Sequence, residues 1–196
     1  MYQNNPEINQ DRVSDTFELF EKYGFVLFPQ NRKAYENISN RISGSILEAG
    51  CGNGVGANII GADTATDKLE KNIKFAQQFY PDIRFGAWDL NGEPYKEKND
   101  TVVAVEVIEH IENYKRGLQN LIKSANKEIW LSTPNRSVLN QERPDNPFHV
   151  HEFMPSELCD LAVEYGVKKV EIYHWDTMEL LDKDTKVNPL IYHLIL

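Results

Sequence analysis

The chain has 196 residues, with 21 Lys plus Arg against 30 Asp plus Glu and a formal net charge of −9. That length suits one domain spanning residues 1–196, and 41% apolar with 11% aromatic residues is enough to fill a core, which excludes disorder of the whole chain. The acidic balance disfavours unaided wrapping of nucleic acid, which needs a local excess of Lys and Arg. No apolar run approaches the roughly 20 residues of a membrane span. The N-terminus lacks the pattern of a secretory leader, so a cytoplasmic location is expected, as monomer or homodimer.

Residues 1–42 are expected to form a helical cap within that domain. Phe17, Leu19 and Phe20 suggest an amphipathic helix behind a Ser14 cap, and the apolar run 25–28 stops at Pro29. A second helix over 32–42 would place Tyr35, Ile38 and Ile42 on one stripe. From there strands and helices alternate. Residues 45–49 read as a buried strand running into a glycine-rich turn at 50–54. Residues 59–62 are the next apolar run and are expected to form the second strand, closed by Asp63. A helix over 67–79, a third strand over 83–88 ending at Asp89, and a nearly all-apolar fourth strand over 101–105 follow. Further on come a helix over 114–125, a fifth strand over 128–132 and a helix over 155–165 opened by Pro155. Residues 169–173 and 190–196 are two more strand candidates, joined without a long helical pattern, which favours an antiparallel pair.

This alternation indicates an α/β fold with a mostly parallel sheet. Ligands in such sheets bind outside the carboxyl ends of the strands. The polar residues expected there are Glu48 to Gly54, Asp63, Asp89, Glu106 to His110, and Thr133 to Asn135. Gly50, Gly52 and Gly54 permit close backbone approach to a ligand, with Cys51 between them and no redox role required of it. An acid closing the second strand suits a ribose hydroxyl pair, for which Asp63 is the candidate. Asp89 suits an exocyclic amine or a turn cap.

Together the stretches ILEAGCGNG (46–54), GAD (61–63), AWDL (87–90), DTVVAVEVIEHI (100–111) and WLSTPN (130–135) resemble the class I S-adenosylmethionine-dependent methyltransferases, types 11 and 23, including ubiquinone-biosynthesis-like O-methyltransferases. The resemblance implies a Rossmann-like sheet of about seven strands, the last antiparallel, with helices on both faces. It also implies S-adenosylmethionine as cofactor, S-adenosylhomocysteine as product, and a small-molecule acceptor, with oxygen favoured and nucleic acid disfavoured. Carried over residue by residue, the cofactor would meet Glu48, Gly50, Cys51, Gly52, Gly54, Asp63, Trp88, Asp89, Leu90 and Glu106. One departure stands out: only eight residues, 55–62, separate Gly54 from Asp63. A parallel crossover normally needs at least about a dozen residues. The chain must therefore take an abbreviated path, shift its second strand or lack residues, and loss of efficient cofactor binding in a non-catalytic fold is one consequence to weigh.

Glu106, Glu109 and His110 would share a face if a helical turn begins after the fourth strand. With His149, or less well His151, they could ligate Mg²⁺ or Mn²⁺ or handle a substrate proton. The Glu-x-x-Glu-His spacing resembles the metal site of small-RNA 3′-terminal 2′-O-methyltransferases, which implies a divalent-metal-dependent RNA-end enzyme as an alternative function. For a hydroxyl acceptor, His110 is the first candidate base and His149 the second. Tyr23, Phe25, Phe28 and Tyr35 are expected to line the acceptor side, with Arg136 and Arg143 on the opposite wall. His174, His193, Trp130 and Trp175 read as structural.

Overall fold

Apolar side chains alternate along the central strands, and this period of two feeds a separate core on each face of one sheet. The computed structural model describes residues 29–139, 146 and 148–196. Its strands are β1 (Ile46–Ala49), β2 (Thr64–Asp67), β3 (Arg84–Ala87), β4 (Asn99–Val105), β5 (Ala125–Thr133), β6 (Lys169–His174), β7 (Leu180–Leu181) and β8 (Leu190–Ile195), in the order β3-β2-β1-β4-β5-β8-β6-β7. The β3-β2-β1-β4-β5 half is parallel, and β8 runs antiparallel to both β5 and β6. The described sheet has eight strands where about seven were expected. The addition is β7, a two-residue strand that turns back along β6.

Six helices cover the sheet among the described residues: α1 (Pro29–Ser39), α2 (Val55–Ile60), α3 (Glu70–Phe79), α4 (Tyr114–Ser124), α5 (Arg136–Leu139) and α6 (Pro155–Glu164). Val102 and Ala104 of β4, Ile129 and Leu131 of β5, and Leu190, Tyr192 and Leu194 of β8 pack with Leu118 and Leu121 of α4 and Leu158 of α6. The intervening residues Val103, Val105, Trp130 and Ile191 point the other way, onto Tyr35 and Ile38 of α1, Ile60 of α2 and Ile73 of α3. Burial on both faces is what a central parallel strand requires. The expected helix over 14–23 and the run 25–28 lie outside the described residues.

The expected second strand is corrected. Ile59 and Ile60 finish α2, and Gly61 caps that helix in the left-handed conformation with φ 62°, so the strand begins at Thr64. A helix of six residues rises about 9 Å, and the chain then needs residues 61–63 to reach the sheet. The strand has thus moved along the sequence to accommodate a short helix. Its polar make-up hid it. Thr64 and Thr66 are buried in β2, but Thr66 Oγ1 donates to the Glu48 carbonyl at 2.9 Å and Thr64 Oγ1 accepts from Arg84 Nη2 at 2.9 Å. Buried hydroxyls that find partners cost little.

On the antiparallel side, His193 of β8 stacks on Trp130, centroids 4.1 Å apart, and its ring nitrogens lie 2.7 Å from Glu128 Oε2 and 3.2 Å from Glu171 Oε2. His193 thus links β5, β8 and β6, a structural role as expected. Lys169 and the Tyr173 hydroxyl, followed by His193, hold the Glu171 carboxyl down to about 2 from its ordinary 4.5. A depressed carboxyl stabilises the fold above its unfolded value, and that contribution is lost as pH falls from about 4.5 through about 2. Glu171→Gln is therefore expected to flatten the fall in melting temperature over that window. An unchanged slope in a thermal-shift series from pH 5 to pH 2 would remove Glu171 as a source of acid sensitivity.

Candidate functional site at the carboxyl ends of the parallel strands

β1 delivers its chain into the turn 50–54 at the carboxyl end of the sheet. The Gly50 and Cys51 amides both donate to the Thr66 carbonyl at 2.8 Å, which ties the turn to the end of β2. Gly50 has φ 77°, and a Cβ there would press into Val107. Gly52 has φ 51° and nothing within 4 Å of where its Cβ would stand. The open space above Gly52 is where a ligand can approach backbone directly. Cys51 is buried, and burial with the acids Glu48 and Asp67 pushes its thiol far above the ordinary range, which leaves it inert as a thiol.

Asp63 is not in this crevice. Its side chain accepts from the Ile46 amide at 2.8 Å, its own amide donates to the Ile46 carbonyl, and its carbonyl accepts from the Arg84 amide. Asp63 thus laces the amino ends of β1, β2 and β3, about 13 Å from the turn at 3.3 Å per strand residue. The acid that closes β2 is Asp67. Its Oδ2 accepts from the Gly52 amide at 3.0 Å and its Oδ1 from the Leu69 amide at 2.8 Å. A carboxylate has about four acceptor directions, so two remain for a ligand.

Glu48 is fully buried at the start of the turn, and neither carboxylate oxygen completes a regular hydrogen bond. Burial raises its carboxyl to about 7; the Tyr35 hydroxyl and the Ala57 amide offset part of that rise, while Asp67 adds to it. Tyr35, expected to line the acceptor side, is instead buried against Glu48 and Gly56. Its expected companions Tyr23, Phe25 and Phe28 lie outside the described residues, as does Arg143.

Past β3, Trp88 packs on Tyr95, donates its indole N–H to the Glu93 carbonyl at 2.9 Å and leans on the core, and Leu90 is buried in that core. Asp89 is exposed, and its Oδ1 accepts from both the amide and the side chain of Asn91. After β4, Glu106 adopts φ 55°, a left-handed conformation that costs a side chain about 1–2 kcal/mol. Its amide donates to the Ser132 carbonyl, and its Oε1 accepts from Ser132 Oγ at 2.8 Å. That turns Glu106 toward β5 and away from Glu109 and His110, so the expected four-residue metal set is not assembled as a unit.

The remaining three do converge. Glu109, His110 and His149 each place one donor atom within 4.8 Å of the others. Ile108–His110 is a single 3₁₀ turn rather than the start of a helix. The buried Glu109 carboxylate accepts from Thr133 Oγ1 and lies 3.7 Å from His110 Nε2. His110 Nδ1 donates to the Phe148 carbonyl at 2.8 Å, which assigns the proton-accepting role to Nε2. His149 donates from Nδ1 to Glu152 Oε1 at 2.6 Å and accepts at Nε2 from Asn146 Nδ2 at 2.9 Å. Asn146 Oδ1 meanwhile accepts from the Phe148 amide, so its amide orientation is fixed. His151 stacks on Tyr114 and pairs with Glu157. His110 lines a cleft of about 760 Å³ with Lys68, Asp89, Tyr114, Lys115 and Val150. Arg136 contributes its amide to the Phe153 carbonyl.

A family described as a methyltransferase domain matches residues 18–172 of this chain. The chain belongs to that family. A probable S-adenosylmethionine-dependent methyltransferase of Mycobacterium tuberculosis is 30% identical over 149 residues, covering 71% of this chain and 54% of the relative. A ubiquinone biosynthesis O-methyltransferase of Rickettsia conorii is 33% identical over 114 residues, 53% of this chain and 39% of the relative. The chain thus spans a little over half the length of its mycobacterial relative. Its fold is shared with a solved S-adenosylmethionine-dependent methyltransferase of Thermotoga maritima, at TM-score 0.71 and 16% identity over 94% of this chain and 96% of that one. Magnesium protoporphyrin IX methyltransferase of Synechocystis, solved with S-adenosylhomocysteine bound, gives TM-score 0.64 at 17% identity over 97% and 98%. Class I membership and the Rossmann-like fold expected from the sequence are thereby established, and the cofactor of the family is S-adenosylmethionine. No described helix is long and apolar enough to cross a membrane.

Sequence reasoning missed Asp67, Asn146 and Glu152, which hold the glycine turn and His149. Asp67 carried a signal: Gly61 reads equally well as a helix cap, after which Thr-Ala-Thr-Asp fits a strand ending in an acid. Asn146 and Glu152 carried none, because their roles depend on where a loop folds back.

Proposed function

We propose that the chain transfers a methyl group from S-adenosylmethionine to a hydroxyl of a small molecule, with His110 as the base. The carrying observation is the His110 tautomer: the Phe148 carbonyl occupies Nδ1 while the ring lines the cleft. The fit of the cofactor is supported by the open space over Gly52 and by Asp67 at the carboxyl end of β2. In this reading Gly52 lies under the methionine part, Asp67 receives the ribose hydroxyls and Asp89 receives the adenine amine.

The cofactor supplies an already activated methyl on a sulfonium, and the protein's task is alignment and proton removal. His110 Nε2 takes the acceptor's proton as the new O–C bond forms and the S–C bond breaks, its electron pair returning to sulfur. Glu109, 3.7 Å from Nε2, stabilises the resulting imidazolium. His149 serves as a positioning residue, since both its nitrogens are engaged and its ring meets that of His110 edge-on at 4.8 Å between centroids.

Glu109, His110 and His149 also fit a divalent cation in donor type, but Nε2 of His149 would first have to shed Asn146. The proposed base role needs no cation, so turnover is expected to survive excess chelator. The comparisons favour neither an RNA-end enzyme nor a non-catalytic fold. The reading is tested by following radiolabelled methyl transfer from S-adenosylmethionine to panels of phenols, aliphatic alcohols, amines, thiols and carboxylic acids. Transfer confined to a hydroxyl class supports it; transfer only to amines, thiols or carboxylates overturns it.

A further inference from the structure

We infer that Tyr35 and Glu48 form a charge-sensing floor beneath the glycine turn, in which Glu48 gives up a proton when the cationic cofactor binds and Tyr35 acts as the positioning residue that holds the ionised form. The inference rests on the cofactor reading above and deepens it. Glu48 stands on the helix-covered face of β1, fully buried, with both oxygens lacking a regular hydrogen bond. α1 brings Tyr35 onto it and α2 brings Gly56, where a Cβ would overlap both the Tyr35 ring and a Glu48 oxygen. Only glycine at 56 lets the tyrosine reach the acid. Besides the Tyr35 hydroxyl, the Ala57 amide is the group that favours the ionised form of Glu48.

The ionisable groups that act on this pair among the described residues are all acids, of which the Cys51 thiol is neutral. Asp67, at the end of β2, acts on Glu48; Cys51 of the turn and Glu106 after β4 act on Tyr35 along with Glu48; α2 contributes a backbone amide and no charge. Among the described residues, then, each ionisable group acting on the pair is an acid. A buried acid beside other acids, without a counter-charge, holds its proton. This one lies in β1 just ahead of the turn whose Gly52 has open space beside it, and Asp67, which acts on it, holds the Gly52 amide. Bringing a sulfonium and an ammonium there supplies positive charge, and in a low-dielectric setting that favours the carboxylate. The proton passes to solvent. The Tyr35 hydroxyl, which lowers the Glu48 carboxyl, is the donor nearest to the new anion. After methyl transfer the sulfur is neutral and one of the two positive charges is gone, so the pair grips the product less firmly than the donor.

Proton release on binding is read by titration calorimetry of the full chain at pH 7 in two buffers of different ionisation enthalpy. S-adenosylmethionine and S-adenosylhomocysteine are the two ligands. Comparing wild type with Glu48→Gln removes any proton exchanged by the ligand's own amine. With Glu48 raised to about 7, the wild type should release about half a proton more than the variant on binding S-adenosylmethionine. That difference should shrink toward zero at pH 9 and be smaller for S-adenosylhomocysteine. Tyr35→Phe should raise the release at pH 7 and weaken binding there, with affinity recovering at higher pH. Equal release in wild type and Glu48→Gln overturns the inference. If that variant fails to fold, a Tyr35→Phe pH profile superimposable on wild type overturns it instead. Failure of either ligand to bind the wild type would sink the cofactor reading itself, a distinguishable result.

Discussion

Asp67→Ala is expected to weaken S-adenosylmethionine binding about 100-fold, while Asp63→Ala leaves the affinity within about twofold. Asp67 lies at the carboxyl end of β2 and already orders the Gly52 and Leu69 amides. Two charge-assisted hydrogen bonds to ribose hydroxyls, at about 1.5 kcal/mol or more each, correspond to roughly that factor. Asp63 instead holds the Ile46 amide at the amino end of the sheet. Its loss removes one hydrogen bond of about 1 kcal/mol, which for a domain of this size lowers the melting temperature by about 2–4 °C. Calorimetry and thermal unfolding on both variants check the pair together. The opposite pattern, binding lost with Asp63 and kept with Asp67, would show that the cofactor does not lie at the carboxyl ends of the strands.

The second large effect is on rate. His110→Ala is expected to lower kcat by about 10²–10⁴, the usual range for a lost general base, with cofactor affinity unchanged. Glu109→Gln should give a smaller loss, since its carboxylate only balances the imidazolium charge at 3.7 Å. Single-turnover methyl transfer with saturating cofactor separates these from binding effects. A His110→Ala enzyme with wild-type kcat on a hydroxyl acceptor would mean that proton removal is left to solvent or to another group.

Strong apolar runs were legible because burial on both faces leaves little choice of residue. β4 and β5 were read from Val102 to Val105 and Ile129 to Leu131, and their flanking helix α4 from its apolar stripe. β2 was not legible, because its Thr64 and Thr66 satisfy their hydroxyls only through the neighbouring Glu48 carbonyl and Arg84. The more apolar Ile59 and Ile60 drew the strand assignment away from it, and with it the acid expected to close the second strand, which is Asp67 and not Asp63. The short crossover that looked like a defect is resolved by a six-residue helix capped at Gly61.

The sequence by itself determined the strand–helix alternation around β1, β3, β4 and β5, the glycine turn behind β1 and the clustering of acids and histidines after β4. These depend on local periodicity and on residue types that tolerate unusual backbone. Tertiary structure decided which acid lies at the carboxyl end of β2, that His110 gives its Nδ1 to the Phe148 carbonyl while lining the cleft, and that Glu48 is enclosed with Tyr35. Each of those outcomes depends on which distant backbone amide or carbonyl reaches a side chain first. The packing of α1, α2, Asn146 and residues 148–153 onto the rest of the fold fixes that competition.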